Sequence, residues 1–414
     1  MNVALSGAHK PFVNPPQQRY GNMMHVHDLI TDSATLANLC HRLAQSDFVC
    51  VDTEFMRENS YWPELCLIQI ADANEAAAID PKAPGIDLTP LLDLMVDNED
   101  VLKVFHAGGQ DLEIVYNLTG KTPHPLFDTQ IAAMALGLGE QVGYSSLVDS
   151  YLGIQVDKGA RFTDWARRPL DQRQIDYAIG DVTHLARIFP KMLDKLRKTG
   201  RGMWLNDEME RIGDPQNYRS DPDQVWQRVR VPSRKPEVLG RLKALARWRE
   251  LEAQGKNLPR GRIVKDETLA DLAGHPPRKQ ADLAKVRGLS AAWASNDIGG
   301  RLMAALEEAT PLSAAEMPPR DDRKPGLGKE GALVADLLKL LLKIRAREID
   351  IAARLLARSE DLEALAAGQR DGLPLLSGWR YEQFGHDALD VVEGRLGFAV
   401  QGGKLKMTRT GDAT

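Results

Sequence analysis

Apolar and polar positions follow two regimes along the chain. From about residue 25 to 200, short apolar runs alternate with stretches of helical periodicity. The runs Phe48–Asp52, Leu65–Ile70, Ala76–Ile79 and Leu102–Phe105 are short and predominantly apolar, which predicts buried strands. Apolar residues recur at helical spacing over Pro90–Val96, Gln110–Leu118, Thr129–Leu136, Ser145–Leu152 and Asp171–Leu196. This order predicts an α/β domain over residues 25–200 with a mixed sheet. Beyond it, residues 201–232 carry Pro215, Pro222 and Pro232 and read as a linker with short helical turns. Two segments, 233–310 and 328–406, are then predicted all-helical, separated by a Pro/Gly-rich linker over 311–327. They share a pattern. A long amphipathic helix, around Val238–Ala253 or Leu333–Ala357, precedes a short motif, Leu269-Ala-Asp-Leu-Ala273 or Leu362-Glu-Ala-Leu-Ala366. The two segments therefore read as distant repeats.

Composition excludes whole classes of protein. With 43% hydrophobic and 27% charged residues, the 414-residue chain is neither disordered throughout nor fibrous. Its best apolar run, Leu337–Leu342, falls far short of the ~18 residues that would suggest a membrane span. Residues 1–24 are rich in Pro, Asn and Gln and lack the pattern of a signal peptide. They read as a disordered extension, with translation able to begin at Met23 or Met24, and residues 407–414 read as a frayed tail. The three cysteines, Cys40, Cys50 and Cys66, form no Cys-x-x-Cys. They suit core filling in a reduced, cytoplasmic setting.

The net charge of −5 alone suggests no polyanionic partner, but it averages over an asymmetry. Residues 1–200 hold 17 Lys+Arg against 26 Asp+Glu, and residues 201–414 hold 36 against 32. Within the second half, residues 228–265 contain 12 basic and 3 acidic side chains, with Trp226 just before the stretch and Trp248 within it. That stretch is an electrostatic footprint for a phosphate backbone, with Arg241, Lys243, Arg247, Arg260 and Arg262 as candidate nucleic-acid contacts. The alternative use of such a run is a charged solvent face. Residues 326–406 balance 12 basic with 12 acidic residues and read as structural.

The acidic half carries the chemistry. Asp52-Thr-Glu54 ends an apolar strand, and residues two apart in a strand point to one face. Two carboxylates beside a core are costly unless a cation lies between them. Phe105-His106-Ala-Gly-Gly-Gln-Asp111 spans a strand-to-helix junction and places Asp111 in a first helical turn, where helix-dipole capping is its bland role. His106 reads as a packing or hydrogen-bonding residue. Tyr177-Ala-Ile-Gly-Asp181 puts a phenol and a carboxylate on one helix face. Each motif alone has an ordinary structural reading. Together they offer four carboxylates and no cysteine ligand, a donor set for hard ions, Mg²⁺ or Mn²⁺. Such clusters can hold two ions that clamp the attacking and leaving oxygens of a phosphodiester.

The order Asp-x-Glu, His-x-Gly-x-x-Asp, Tyr-x-x-x-Asp resembles the DEDDy 3′–5′ exonucleases. With the helical repeats, residues 25–406 resemble the ribonuclease D family, in which an α/β ribonuclease H-like domain precedes HRDC domains. The resemblance implies that Asp52, Glu54 and Asp181 hold the ion that activates water. It also implies that Asp52 reaches a second ion supported by Asp111, and that Tyr177 orients the water. The implied reaction trims RNA 3′ ends, notably of transfer RNA precursors and other structured RNAs, and releases nucleoside 5′-monophosphates. It places the segment of Lys158, Arg161, Thr163, Asp164 and Trp165 near the site, where Lys158 or Arg161 either touches the scissile phosphate or faces solvent. Phe55, Met56, Tyr61 and Trp62 either stack on the terminal base or pack beneath their loop, and packing is favoured for Trp62. Asp128 reads as a helix cap.

Gly326-Leu-Gly-Lys-Glu-Gly331 fits G-x-G-x-x-G but follows no strand, and no P-loop occurs. No nucleotide cofactor is therefore expected, nor a membrane partner. Two other readings compete. A 3′–5′ DNA exonuclease is disfavoured by the tandem repeats. A non-catalytic RNA-binding scaffold is disfavoured by the complete carboxylate set.

Overall fold

A computed structural model describes residues 24–157, 159–318 and 327–410. The expected N-terminal extension, Lys158 and the Gly326 end of the glycine motif lie outside the described residues, as does most of the second linker.

The first region is built on β1 (His25–Val26), α1 (Ser33–Leu43), β2 (Phe48–Met56), β3 (Glu64–Ala71), β4 (Glu75–Ile79) and α2 (Thr89–Val96). It continues with β5 (Leu102–Phe105), α3 (Gly109–Thr119), β6 (Leu126–Asp128), α4 (Thr129–Ala135), α5 (Tyr144–Leu152) and α6 (Gln172–Lys198). The six strands form one sheet in the order β1-β4-β3-β2-β5-β6. The β2–β3 and β3–β4 pairs are antiparallel, while β1–β4, β2–β5 and β5–β6 are parallel, so the expected mixed sheet is present. α1, β1 and β6 are elements that the apolar pattern did not reveal.

Alternation along β2 sorts the core into two layers. Val49 and Val51 pack with α1, α2 and α3 on one face. Phe48 and Cys50 pack with α4, α5 and α6 on the other. All three cysteines are buried and free. The amphipathic 27-residue α6 starts at a capping box formed by Asp171 and Gln174 and lays its apolar stripe across the second face.

Residues 201–232 are not a plain linker. α7 (Asn206–Gly213) packs Met209, together with Leu205, into the exonuclease-side core. Val225 and Trp226 instead belong to the core of the next helical region. The proline spacing suggested a connector because it breaks long helices, although the short turns between carry buried side chains.

That next region comprises α8 (Pro236–Lys256), α9 (Arg260–Ile263), α10 (Asp266–Gly274) and α11 (Asp297–Glu307). The following one comprises α12 (Lys329–Glu348), α13 (Ala353–Leu356) and α14 (Ser359–Ala366). α15 (Gly378–Arg380) then runs through a π turn into α16 (His386–Val392). Both regions order a long helix, a four-residue helix and a third helix that packs back on the first. The periodicity over Leu333–Ala357 does not mark one helix. The chain turns after Glu348, with Asp350 in a left-handed conformation (φ 51°), before α13 begins.

The last region is not all-helical and its tail is not frayed through Arg409. β7 (Leu396–Gln401) and β8 (Lys404–Arg409) form an antiparallel hairpin. Gly402 and Gly403 both take positive φ (57° and 73°), as a two-residue hairpin turn requires. Arg409 fastens the hairpin to α16 through Asp387 and Asp390. No helix among the described residues is long and apolar enough to cross a membrane.

Candidate active site

The carboxyl ends of the parallel strands β2 and β5 open into a cleft of about 720 Å³, the usual place for a ligand in an open α/β sheet. β2 turns Asp52 and Glu54 toward α6, where Tyr177 and Asp181 lie one turn apart. Carboxylate oxygens of Asp52, Glu54 and Asp181 lie within 4.8 Å of one another. Asp111, in the first turn of α3, enters from the opposite side of β2. There the Thr53 hydroxyl, on the other face of the strand, donates to its Oδ1. The three motifs, spread over residues 52–181 of the sequence, thus meet in one cleft.

Electrostatics mark this cluster as a site deficient in positive charge. Burial, then repulsion from Asp111, Asp181 and Glu54, drives the Asp52 carboxyl well above the usual range. Glu54 is pushed up to about 8 by burial and by Asp181 and Asp111, with Arg161 pulling it back. Burial raises Asp181 to about 7 against a hydrogen bond from Tyr177 and the charge of Arg161. Burial likewise raises Asp111 to about 6 against the hydrogen bond from Thr53. The Tyr177 phenol, raised by burial and then by Asp181, stays protonated and can donate.

Two supporting residues, Tyr144 and Phe162, escaped the sequence reading, while His106 and Asp128 were read from it as packing and capping residues. Tyr144, at the start of α5, directs its hydroxyl at the carbonyls of Asp181 (2.6 Å) and Gly180 (2.9 Å), tying α5 to the helix that carries two site residues. Its ring meets His106 edge-on at 5.6 Å. His106 Nδ1 shares a hydrogen bond with Thr129 Oγ1 (3.0 Å), consistent with a packing and bonding role. Asp128 caps α4 and also accepts from Gly108 N (2.9 Å), fixing the glycine turn ahead of Asp111. Phe162, 90% exposed, lines the cleft beside Arg161, whose guanidinium sits 5.3 Å from its ring centre. Neither Tyr144 nor Phe162 stands in a sequence motif. Only an aromatic beside an arginine, as at 161–162, is a local signal that could have been read.

Of the residues following the first motif, Phe55 and Met56 line the cleft. Tyr61 does not. It is buried against α8, where Asn257 Oδ1 accepts from Tyr61 N (3.1 Å) and Trp62 N (3.0 Å).

The basic stretch proves largely engaged within the protein. Arg241 donates to Ala273 O (2.7 Å), Lys243 pairs with Glu316 (2.8 Å) and Arg247 with Asp223 (3.0 Å). Arg260 is the counter-charge of the buried Glu250 (2.5 Å), so it is not a free phosphate ligand. Arg262 is exposed. A count of charges along a sequence cannot separate such pairs from free cations.

The 3′-5′ exonuclease family matches residues 28–197, and the HRDC domain family matches residues 238–306. Ribonuclease D of Sphingobium indicum is 75% identical over 387 residues, covering 94% of this chain and 100% of that protein. Ribonuclease D of Zymomonas mobilis is 66% identical over 385 residues, covering 93% and 99%. Among solved structures, Escherichia coli RNase D, an exoribonuclease involved in structured RNA processing, superposes with a TM-score of 0.74 at 30% identity, covering 90% of this chain and 99% of that one. Kinship of this extent embraces the carboxylate cleft and the helical repeats alike, and the chain belongs to the ribonuclease D family of 3′–5′ exoribonucleases.

Proposed function

We propose that this cleft removes nucleotides from RNA 3′ ends with two divalent ions, Mg²⁺ or Mn²⁺, and releases nucleoside 5′-monophosphates. The carrying observation is the trio of Asp52, Glu54 and Asp181 oxygens within 4.8 Å, in a site whose carboxyls are all raised by burial or by one another. An all-oxygen donor set of this kind fits a hard divalent cation. Asp52, Glu54 and Asp181 would hold one ion, and Asp52 with Asp111 would support the other. Bound there, the ions supply an activated water and neutralise charge on the phosphodiester.

The protein's own residues then orient the substrate. The Tyr177 hydroxyl, hydrogen-bonded to Asp181, positions the attacking water. Arg161 faces Glu54 and Asp181 and stands where it can meet the scissile phosphate. Lys158, close to Arg161 in sequence, is a second candidate for that contact, and Arg262, with the exposed parts of Arg241, Lys243 and Arg247, would contact the trailing strand. The second helical region, which repeats the element order of the first, serves as a second HRDC-like domain over 328–406. Transfer RNA precursors and other structured RNAs are the natural substrate class, and the cytoplasm the setting.

The test is hydrolysis of matched RNA and DNA oligonucleotides with 3′ overhangs, with Mg²⁺ or Mn²⁺ and with EDTA. Metal-dependent shortening of RNA from its 3′ end, one nucleotide at a time, is expected. Internal cleavage, or cleavage in EDTA, rejects the mechanism.

A further inference from the structure

A second cleft, of about 480 Å³, lies in the first helical region between the segment before α8 and the start of α10. Four basic side chains line it, Arg228, Arg249, Arg260 and Lys265, with Asp266 and Glu267 as the acidic ones. Two of the cations are spoken for. Arg260 balances Glu250, and Arg249 donates through Nη1 to Asp266 (2.6 Å) and to Val264 O (2.9 Å). Arg228 and Lys265 are exposed, and neither has an ion pair among the described residues.

Two independent features give this cleft the character of an anion site. α10 is nine residues long and has no side-chain cap. Its first helical hydrogen bond runs from Leu269 N to Lys265 O, so the N–H groups of Asp266, Glu267 and Thr268 precede it. Free N–H groups and the helix dipole both favour an anion there. Second, Arg249 is only 4% exposed, yet its Nε is buried with no hydrogen-bond partner. A buried charged donor left unsatisfied is rare and costly, and a ligand oxygen in the cleft would satisfy it.

We propose that this cleft binds a backbone phosphodiester of the RNA strand upstream of the 3′ end, through Arg228, Lys265, Arg249 Nε and the start of α10. This assignment rests on the exoribonuclease reading and adds to it a discrete phosphate site remote in sequence from the carboxylates. It also separates the working cations of the 228–265 stretch from those used to hold the fold.

The experiment measures binding of a fluorescent single-stranded oligoribonucleotide to the full chain in EDTA, across a salt series. The double variant Arg228→Ala/Lys265→Ala changes only exposed side chains. It should weaken binding about tenfold at low salt and lower the slope of log affinity against log salt by about one. A charge-matched double variant elsewhere in the same region, Arg278→Ala/Lys279→Ala, should have a much smaller effect. Equal losses from both doubles, or none from either, overturn the site. A site that takes free phosphate instead would show inorganic phosphate raising the melting temperature of the wild type but not of the first double, without displacing RNA. That result also overturns the backbone assignment. Hydrolysis by the wild type in Mg²⁺ is scored separately, so loss of the exonuclease reading is distinguishable from loss of this site.

Discussion

The phenol of Tyr61 donates a hydrogen bond to the carboxylate of Glu250 across the junction between the exonuclease sheet and the first helical region. Glu250 is wholly buried. Ser220 Oγ (2.6 Å) and Arg260 Nε (2.5 Å) also donate to it, and the Arg260 guanidinium lies 4.9 Å from the centre of the Tyr61 ring. Burial alone would raise this carboxyl, but the hydrogen bonds from Arg260, Ser220 and Tyr61 hold it down to about 2. Tyr61 lies on the loop between β2 and β3, so a wall of the carboxylate cleft is anchored in part by a different region of the chain.

Breaking this network should cost stability in graded steps. Tyr61→Phe removes one hydrogen bond to a charged group, worth about 1.5–3 kcal/mol. Glu250→Ala strands Arg260 and should cost about 3–5 kcal/mol. Because the folded carboxyl is depressed, its contribution is complete above the unfolded value of roughly 4.3 and fades as pH falls toward about 2. Denaturant titrations at pH 7 and pH 3 test both points. Equal pH dependence in the wild type and in Glu250→Gln would exclude the network as a source of acid sensitivity.

The candidate site residues were legible because each motif is local. Asp52 and Glu54 share a face by strand period, and Tyr177 and Asp181 by helix period. What holds them was not. Tyr61 and Glu250 are 189 residues apart, and Tyr144 reaches α6 from 36–37 residues away. No periodicity encodes such partners. The hairpin β7–β8 was missed although Gly402-Gly403 is a hairpin-turn signal, because β7, Leu-Gly-Phe-Ala-Val-Gln, lacks the polar alternation of a half-buried strand and both strands are short and mostly exposed. In the 228–265 stretch, charge density was readable, but whether an arginine met a buried glutamate or solvent was not.

Metal affinity should rise steeply with pH. Glu54, Asp181 and Asp111 are raised to about 8, 7 and 6, so without an ion Glu54 and Asp181 hold protons near neutrality, and Asp111 in mild acid, that a cation must displace. The folded state binds these protons more tightly than the unfolded chain. Stability without metal therefore falls as pH rises from roughly 4 toward 8. Adding Mn²⁺ should raise the melting temperature little at pH 5.5 and markedly at pH 8. A thermal shift independent of pH would refute the assignment of these carboxylates as ligands.

Removing one of those charges should separate stability from activity. Asp52→Asn, Asp111→Asn and Asp181→Asn each remove a carboxyl whose ionisation burial opposes. Asp52→Asn and Asp181→Asn should melt at or above the wild-type temperature in EDTA. All three should lose on the order of a thousandfold or more in RNA hydrolysis, the equivalent of several kcal/mol of transition-state stabilisation. Tyr177→Phe forfeits only a hydrogen bond and should lose about ten- to a hundredfold. Wild-type rates from any of the asparagine variants on labelled RNA with Mg²⁺ would overturn the site.

The second helical region has its own core but packs against the exonuclease domain, and its loss should be felt there. Leu355 of α13, 2% exposed, sits in the core formed by α4, α5 and α6. Ala352 N donates to Met134 O (2.8 Å), and Arg201 Nη1 donates to Ala135 O (2.8 Å) and Asp350 O (3.0 Å). Gly137 takes φ +74°, and a Cβ there would come within 2.6 Å of the Asp350 carboxylate. Leu355→Ala should therefore destabilise by about 2–5 kcal/mol, and Gly137→Ala should disrupt the same seam through strain and steric overlap. Hydrogen exchange locates the damage. Amides of α4, on the exonuclease side of the seam, should exchange faster in both variants than in the wild type. Faster exchange confined to α12 and α14 would mean that the two regions fold independently.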